Sequence, residues 1–313
     1  MKKIIYNQFG DESVLELSEQ TAPSPAKDQL LVRVKAVSIN PLDWKVYGGE
    51  MKLMSGSKFP KSVGIDFAGV VEGIGSAVTK FKTGDEVLGL LDPFKGGALA
   101  EYVVVSETSV SRKPAHISFE KAAALPVTGL SALQIIDDLA AIGKNQDILI
   151  NGATGGIGLF AIQLAKKRGA RVTAVAGPKG VASAAEWGAD TVIDYTKQDI
   201  LRMDQRFDAV IDLSTRVSFT AAKKLMKKHA IFVTTLATPL ALLRSLLNNL
   251  LSQRKLKVLL LKPTAERLKT LAGLAETDLQ VVLDKTYAIN EVRRAYREAR
   301  QGKTIGKSVI VVD

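Results

Sequence analysis

The chain of 313 residues contains no cysteine and only two histidines, His116 and His229. Without a thiol, it can form no disulfide and offers neither a cysteine nucleophile nor a thiolate metal ligand. Two histidines are too few for a histidine-rich metal centre. The lack of cysteine also fits a reducing compartment, so we expect a cytoplasmic location.

Long apolar runs are also lacking. The first ten residues, MKKIIYNQFG, hold only a short apolar pair, which is not a signal-peptide core, and no run is long enough to span a bilayer. The hydrophobic content of 46% is that of a soluble globular protein, and the length favours two domains. The net charge of +11 indicates a basic surface, an anionic ligand, an anionic membrane or nucleic acid. Basic and aromatic residues do not interleave, so we expect no nucleic-acid partner.

The most informative stretch runs from Asp147 to Lys167, with the sequence DILINGATGGIGLFAIQLAKK. A buried apolar strand leads into a glycine turn, and apolar residues then recur at helical spacing. Glycines let the backbone approach a pyrophosphate, and the helix N-terminus offers free N–H groups to it. The alternative is a tight turn that holds no ligand. The predicted dinucleotide-binding residues are Gly152, Ala153, Thr154, Gly155, Gly156, Ile157 and Gly158.

The two halves of the chain differ in the order of their predicted strands and helices. Up to residue 118, short strands alternate with glycine turns, which indicates a β-rich, barrel-like domain. From Ser118 onward helices appear, and from Asp147 strands and helices alternate. This succession predicts a doubly wound parallel sheet with right-handed crossovers. In this interpretation a helix covers Phe219–Lys228, His229 lies at its end, and the fifth strand covers Ile231–Leu236.

The last segment, Gly306–Val312, is an apolar strand with no helix after it, so we expect it to return to the first domain. The fold class is therefore α/β, with a Rossmann-type sheet and a β-rich domain formed by both chain ends. The predicted domains are residues 1–118 with 279–313, and residues 119–278.

The segment Leu240–Leu261 is rich in leucine and basic at its centre. One interpretation is an amphipathic helix that lies on a membrane surface. The other, which we favour from the sequence, is a buried helix followed by a core strand at Lys257–Leu261.

The order of these parts resembles the medium-chain dehydrogenase/reductase superfamily, in its zinc-free quinone oxidoreductase and alkenal reductase branch. Five segments carry the resemblance: VSINPLDWKVYG at 37–48, PKSVGIDFAGVVEG at 60–73, AAALPVTGLSA at 122–132, the glycine turn at 151–158, and the strand at 306–312. The resemblance covers essentially the whole chain and implies a GroES-like catalytic domain beside the Rossmann domain. It also implies a homodimer, for which Phe232–Leu236 is the candidate sheet edge.

The chain departs from the zinc alcohol dehydrogenases of that superfamily. Their catalytic metal needs a cysteine near residues 37–43 and a histidine after Gly64. Here the first place holds Ser38, Asn40 and Asp43, and the second holds Ile65 and Asp66. We therefore expect no metal site. The resemblance implies hydride transfer from a nicotinamide cofactor to a quinone or an α,β-unsaturated carbonyl, whose conjugated carbonyl accepts the charge.

The cofactor is expected to be NADPH. No carboxylate follows the second strand, where an NAD enzyme places one for the ribose 2′-hydroxyl, and Lys179 stands there instead. The alternative for Lys179 is an exposed lysine at a helix start. Tyr195 matches a family tyrosine near the same phosphate. The remaining cofactor residues implied by the resemblance are Asn40, Thr128, Leu213, Ser214, Thr235 and Leu236.

The candidate catalytic residues implied by the resemblance are Asn40, Asp43, Lys45 and Thr128. Asn40 is expected to bond the acceptor oxygen, and Thr128 to contact the nicotinamide. Lys45 or Tyr47 would stabilise the oxygen that gains charge. Asp43 has a structural hydrogen bond as its alternative role. The alternative function is an NADPH-binding sensor or peripheral membrane protein with little turnover.

Overall fold

The computed structural model describes residues 1–312, and the chain folds into two compact units. The first comprises residues 1–127 together with the segment from Pro263 onward, and the second comprises Thr128–Lys262. The predicted domain boundaries, 118/119 and 278/279, remain a prediction.

The first unit is mainly β-structure. Its strands are β1 Lys2–Tyr6, β2 Glu16–Glu19, β3 Gln29–Ser38, β4 Lys61–Ser62, β5 Asp66–Ile74, β6 Glu86–Leu90, β7 Tyr102–Ser106 and β8 Val110–Arg112, with β15 Leu283–Ala288 and β16 Lys307–Val311 near the end of the chain. Its helices are α1 Pro41–Tyr47, α2 Lys52–Ser55, α3 Phe119–Ala123, α9 Ala265–Thr277 and α10 Val292–Arg300, while α4 Pro126–Leu133 begins here and continues into the second unit.

Seven strands of this unit form one sheet in the order β15-β16-β3-β5-β6-β8, with β7 paired to β3, and a smaller sheet has the order β2-β1-β4. Strand β16 pairs with β3, which confirms that the end of the chain returns to the first domain. The sequence analysis missed β15, because most of its side chains are exposed and its apolar pattern is weak.

Alternation along β3 builds the core of this unit. Leu30, Val32 and Val34 are buried, while Arg33 between them is exposed, as the strand period requires. Tyr6, Tyr47 and Phe67 are among the largest side chains that are completely buried here. Helix α1, which carries several of the candidate catalytic residues, therefore packs into this core through Tyr47.

The second unit alternates strands and helices. Its strands are β9 Asp147–Asn151, β10 Arg171–Ala176, β11 Thr191–Asp194, β12 Phe207–Asp212, β13 Met226–Thr234 and β14 Lys255–Val258. Its helices are α5 Gly156–Lys167, α6 Val181–Glu186, α7 Phe219–Ala222 and α8 Pro239–Leu251, and a π-helical segment, Gln134–Leu139, continues α4. All six strands are parallel, in the order β11-β10-β9-β12-β13-β14, which confirms the doubly wound sheet.

Two details of the second unit correct the sequence analysis. The predicted helix Phe219–Lys228 ends as α7 at Ala222 and a short turn follows, so His229 lies within β13 and not at a helix end. The predicted edge at Phe232–Leu236 is also wrong, because β14 pairs along β13 and is itself the edge strand. Helix α8 has no buried residue, so the buried helix favoured from the sequence is wrong as well.

Within residues 1–312, none of the helices combines the length and the apolar character that crossing a membrane requires.

Candidate active site

The predicted cofactor residues of the second unit gather at one edge of its sheet. Asn151, Asp212 and Thr234 are the last residues of β9, β12 and β13 and lie in register. The glycine turn, Leu213 with Ser214, and Thr235 with Leu236 follow these three strands directly. Strands β10 and β11 lie on one side of β9 and strands β12, β13 and β14 on the other, so the strand order reverses at β9. Open α/β sheets bind ligands at such a switch point.

The glycine turn leaves its backbone accessible. Gly152 has φ +79°, a conformation that side chains disfavour. At Gly158 a Cβ atom would lie 2.3 Å from the carbonyl oxygen of Ala153, so only glycine lets α5 pack this close to the turn. Gly155 precedes α5, no side chain caps the helix, and no acidic residue lies in its first turn. The free N–H groups and the positive end of the helix dipole therefore fit a pyrophosphate.

A buried carboxylate holds the neighbouring loop in place. Asp212 is fully buried and accepts hydrogen bonds from Asn151 Nδ2 at 2.9 Å and Ser214 Oγ at 2.7 Å. The backbone N–H of Val217 donates to its other oxygen at 3.1 Å. These bonds fix the positions of Leu213 and Ser214 beside the glycine turn. The sequence analysis missed Asp212, although an aspartate at the end of an apolar strand is a usable signal.

Lys179 and Tyr195 follow β10 and β11 at the same edge. Tyr195 donates its backbone N–H to Ala176 at 3.1 Å, and its ring covers Gly177, where a Cβ atom would come within 3.1 Å of the phenol oxygen. Lys179 is exposed. At the end of β11, the carboxylate of Asp194 accepts hydrogen bonds from Thr196 N and Oγ1, and these bonds lower the pKa of Asp194.

In the first unit, the candidate residues lie on helix α1. Asn40 immediately precedes the helix and donates its N–H to Asp43 Oδ2 at 2.8 Å, which is half of a capping box. Asn40, Asp43 and Tyr47 are buried, whereas Lys45 is half-buried. Lys45 is therefore more accessible than Tyr47, whose ring packs edge-on against Tyr296 at a centroid distance of 5.5 Å.

Asn40 is part of a buried polar network that consists of Ser38, Asn40, Asp43, Asp66, Tyr296 and Lys307. Lys307 Nζ donates to Asn40 Oδ1 at 2.8 Å and to the carbonyl oxygen of Ile39 at 2.6 Å. Asn40 Nδ2 donates to Asp66 Oδ2 at 3.0 Å, and Ser38 Oγ donates to the same oxygen at 2.8 Å. Both ends of the Asn40 amide are thus bonded within the unit.

The hydroxyl of Tyr296 completes the buried polar network by donating to Asp43 Oδ2 at 3.0 Å. The second oxygen of Asp43, Oδ1, has no hydrogen-bond partner within the described residues. Asp43, Tyr6 and Gly64 line a cavity of about 10 Å³. That volume is about what one water molecule needs.

Burial shifts the pKa values of the ionisable side chains in this network. Desolvation raises the pKa of Asp43 to about 7 and that of Asp66 to about 6, although hydrogen bonds to the carboxylates oppose the rise. Desolvation lowers the pKa of Lys307 to about 8, and the two carboxylates oppose that shift. Three groups that exchange protons near neutral pH are therefore packed together in the interior of this unit.

The residues at this place do not fit a zinc ion. Where the metal enzymes need a cysteine, this chain has Ser38, Asn40 and Asp43, and where they need a histidine it has Ile65 and Asp66. The ammonium group of Lys307 also lies here, 2.8 Å from the amide oxygen of Asn40. In the described part of the chain, no three His, Cys, Asp or Glu residues come together as a possible metal site.

Sequence reasoning missed Asp66, Tyr296 and Lys307. A usable signal for Lys307 was a lysine at the start of an otherwise apolar strand, KSVIV. Thr128 is buried in α4, where the second unit begins. The expected roles of Asn40, Asp43, Lys45 and Thr128 in catalysis remain predictions.

Comparison with known proteins gives two family models. Residues 26–115 match the model described as alcohol dehydrogenase GroES-like domain, and residues 187–310 match the model described as zinc-binding dehydrogenase.

Individual relatives extend over the whole chain. A protein of Arabidopsis thaliana named chloroplast envelope quinone oxidoreductase homolog is 31% identical over 322 residues, which cover 99% of this chain and 98% of that protein. A second A. thaliana protein, named NADPH-dependent alkenal/one oxidoreductase, is 36% identical over 224 residues, 68% of this chain and 57% of that protein. The solved quinone oxidoreductase of Coxiella burnetii is 31% identical, with a TM-score of 0.90 and coverage of 100% and 99%.

Proposed function

Since this chain belongs to the medium-chain dehydrogenase/reductase family, in its quinone oxidoreductase branch, we propose that it transfers hydride from NADPH to a quinone or an α,β-unsaturated carbonyl without a metal ion. The single observation that carries the proposal is the edge of the parallel sheet, where an uncapped glycine turn and Lys179 lie at the ends of neighbouring strands. The name of the alkenal/one oxidoreductase supports both NADPH and a conjugated acceptor.

Different residues of the chain bind different parts of the cofactor. The N–H groups that begin α5 bind the pyrophosphate, and Asp212 holds Leu213 and Ser214 beside it. Lys179 and Tyr195 receive the 2′-phosphate, because a phosphate needs a cationic partner and no carboxylate follows β10 to repel it. The bound nicotinamide supplies the hydride.

The acceptor needs a group that stabilises the charge on its oxygen. Lys45 is the better candidate than Tyr47, because Tyr47 is completely buried and Lys45 is not. A fixed ammonium group near that oxygen lowers the barrier to hydride transfer. The overall reaction consumes one hydride and one proton for each acceptor reduced. Asn40 and Asp43, bonded within the buried polar network, hold the start of α1 and with it the position of Lys45.

The experiment measures cofactor oxidation directly. The purified chain is mixed with NADPH or NADH and a panel of quinones, enals and enones, and nicotinamide absorbance is followed. We expect turnover with at least one conjugated acceptor and a higher kcat/KM with NADPH than with NADH. Tight NADPH binding without turnover on any acceptor would instead favour the alternative, a sensor or peripheral membrane protein. A homodimer and a cytoplasmic location remain part of the proposal.

A further inference from the structure

Helix α8 is attached to the second unit by its polar side. Ser245 Oγ donates to the carbonyl oxygen of Leu256 at 2.6 Å, and Asn249 Nδ2 donates to the same oxygen at 2.8 Å. The N–H of Leu256 donates to Asn249 Oδ1 at 2.8 Å, and Asn248 Nδ2 donates to the carbonyl oxygen of Arg254 at 2.8 Å. The helix thus covers the edge strand β14 with hydroxyl and amide groups.

The opposite side of α8 is apolar and faces away from the unit. Its six leucines, each between 51% and 90% exposed, form what we call the leucine face: Leu240, Leu243, Leu246, Leu247, Leu250 and Leu251. A surface helix of a globular protein normally buries its apolar side and exposes its polar side, which is the reverse of this arrangement. A contiguous apolar patch of several hundred Å² usually marks a binding surface.

The leucine face lies in the most basic part of the chain. Residues 213–262 contain ten lysines and arginines and no aspartate or glutamate, and only Lys227 among these cations is paired in the described residues, with Asp147 and Asp208. Arg244 is exposed on α8 itself. Arg254 donates to the carbonyl oxygens of Met226 and Lys227, and Lys255 donates to that of Asn249, at the end where α8 stops. Backbone carbonyls do not neutralise these cations, so the surroundings of the leucine face stay positively charged.

We propose that the leucine face of α8 docks onto a lipid surface that carries anionic headgroups. A leucine side and adjacent cations are the two features by which an interfacial helix binds, with its axis in the membrane plane. A second copy of this chain fits less well, because two basic stretches without a carboxylate would then meet. Pairing through β14 is also disfavoured, since Asn249 already satisfies the outward N–H and C=O of Leu256.

The test is vesicle co-sedimentation of the full chain with phosphatidylcholine vesicles that contain or lack phosphatidylglycerol, at low and high salt. We expect the protein to sediment with the anionic vesicles and to be released by salt. The double variant Leu246→Gln/Leu250→Gln should bind at least about tenfold more weakly, because two exposed leucines lose their apolar contact with the lipid. The matched control Leu17→Gln/Leu53→Gln changes two exposed leucines of the first unit and should bind normally.

Two results would overturn the proposal. One is failure of the unchanged protein to bind anionic vesicles, and the other is binding that the α8 double variant leaves intact. Sedimentation velocity without lipid adds a third arm. If the protein self-associates, ignores vesicles and becomes monomeric in the α8 variant, the leucine face belongs to a second copy and the lipid proposal is wrong. Because vesicle binding is scored without turnover, the result stands independently of the proposed hydride transfer.

Discussion

The ammonium group of Lys307, at the start of the last strand, lies 2.8 Å from the amide oxygen of Asn40, more than 260 positions earlier in the chain. This contact sets the orientation of the Asn40 amide, which in turn donates to Asp66. The return of β16 to the sheet of the first unit therefore does more than close the fold. It places a cation next to the residue that begins helix α1.

The first prediction concerns Lys307. In Lys307→Met the buried carbonyl of Ile39 and the amide oxygen of Asn40 lose their donor, and Asp66 loses a nearby cation. A buried acceptor left without its donor costs about 1–3 kcal/mol, and loss of the desolvated ammonium group offsets part of the cost, so the free energy of unfolding should fall by about 1–3 kcal/mol. Urea denaturation measures it. The control Lys80→Met, at a largely exposed lysine, should change stability little. Equal stability of both variants would show that the Lys307 contact contributes nothing.

The second prediction is a pH dependence of stability. The pKa of Asp43 is about 7 in the folded chain, above its ordinary value of 3.8. Between pH 3.8 and about 7, the folded chain therefore binds more protons than the unfolded chain. The free energy of unfolding should therefore decrease as the pH rises from about 4 to about 7. Asp66 contributes in the same direction up to about pH 6.

The variant Asp43→Asn tests this slope. The amide oxygen of asparagine can still accept the bonds from Tyr296 and Asn40 N, while the charge that burial penalises is gone. We expect a flatter profile between pH 4 and 7 and a gain on the order of 3 kcal/mol near pH 8. Asp28→Asn, at an exposed carboxylate, is the control. An unchanged slope in Asp43→Asn would rule out Asp43 as its source.

Lys307 should change the free energy of unfolding with pH in the opposite direction to Asp43. Its pKa of about 8 lies below the ordinary 10.5, so above pH 8 the unfolded chain binds more protons than the folded one. Stability contributed by this group should rise between about pH 8 and 10.5. Lys307→Met should lack that rise. The pH-dependent part of its effect then reports the lost charge, and the pH-independent part reports the lost contacts of the side chain.

The fold was largely predictable from the sequence, whereas the surroundings of the candidate site were not. The strand, glycine turn and helix at 147–167 and the return of the last strand have strong local patterns, since each follows from periodicity and glycine placement. The partners of Asn40 have no such pattern, because Asp66 and Lys307 approach it from strands distant in sequence. The orientation of α8 was also hidden, since an amphipathic sequence does not say which side faces the protein.

The third prediction concerns Gly158. In Gly158→Ala the new Cβ would lie 2.3 Å from the carbonyl oxygen of Ala153, so α5 must move away from the turn that receives the pyrophosphate. We expect NADPH affinity to fall by at least about tenfold, because the helix N–H groups no longer converge on the phosphate. Fluorescence titration measures the Kd. Gly273→Ala is the control, since a Cβ there meets nothing within 4 Å in helix α9, and it should stabilise the chain slightly without altering NADPH binding.

The last prediction separates NADPH from NADH. Lys179 is exposed after β10, and the proposed 2′-phosphate contact would be a charge-assisted hydrogen bond that contributes about 1.5–3 kcal/mol. Lys179→Ala should therefore raise the Kd for NADPH by about 10- to 100-fold and leave the Kd for NADH within about twofold. Lys224→Ala, which removes an exposed lysine just before β13, at the opposite edge of the sheet, should affect neither cofactor. Equal weakening of both cofactors would mean that Lys179 supports the fold or the pyrophosphate and does not read the 2′-phosphate. An unchanged NADPH affinity would assign that role to another residue at this edge, for which Tyr195 is the next candidate, since its phenol already lies over Gly177.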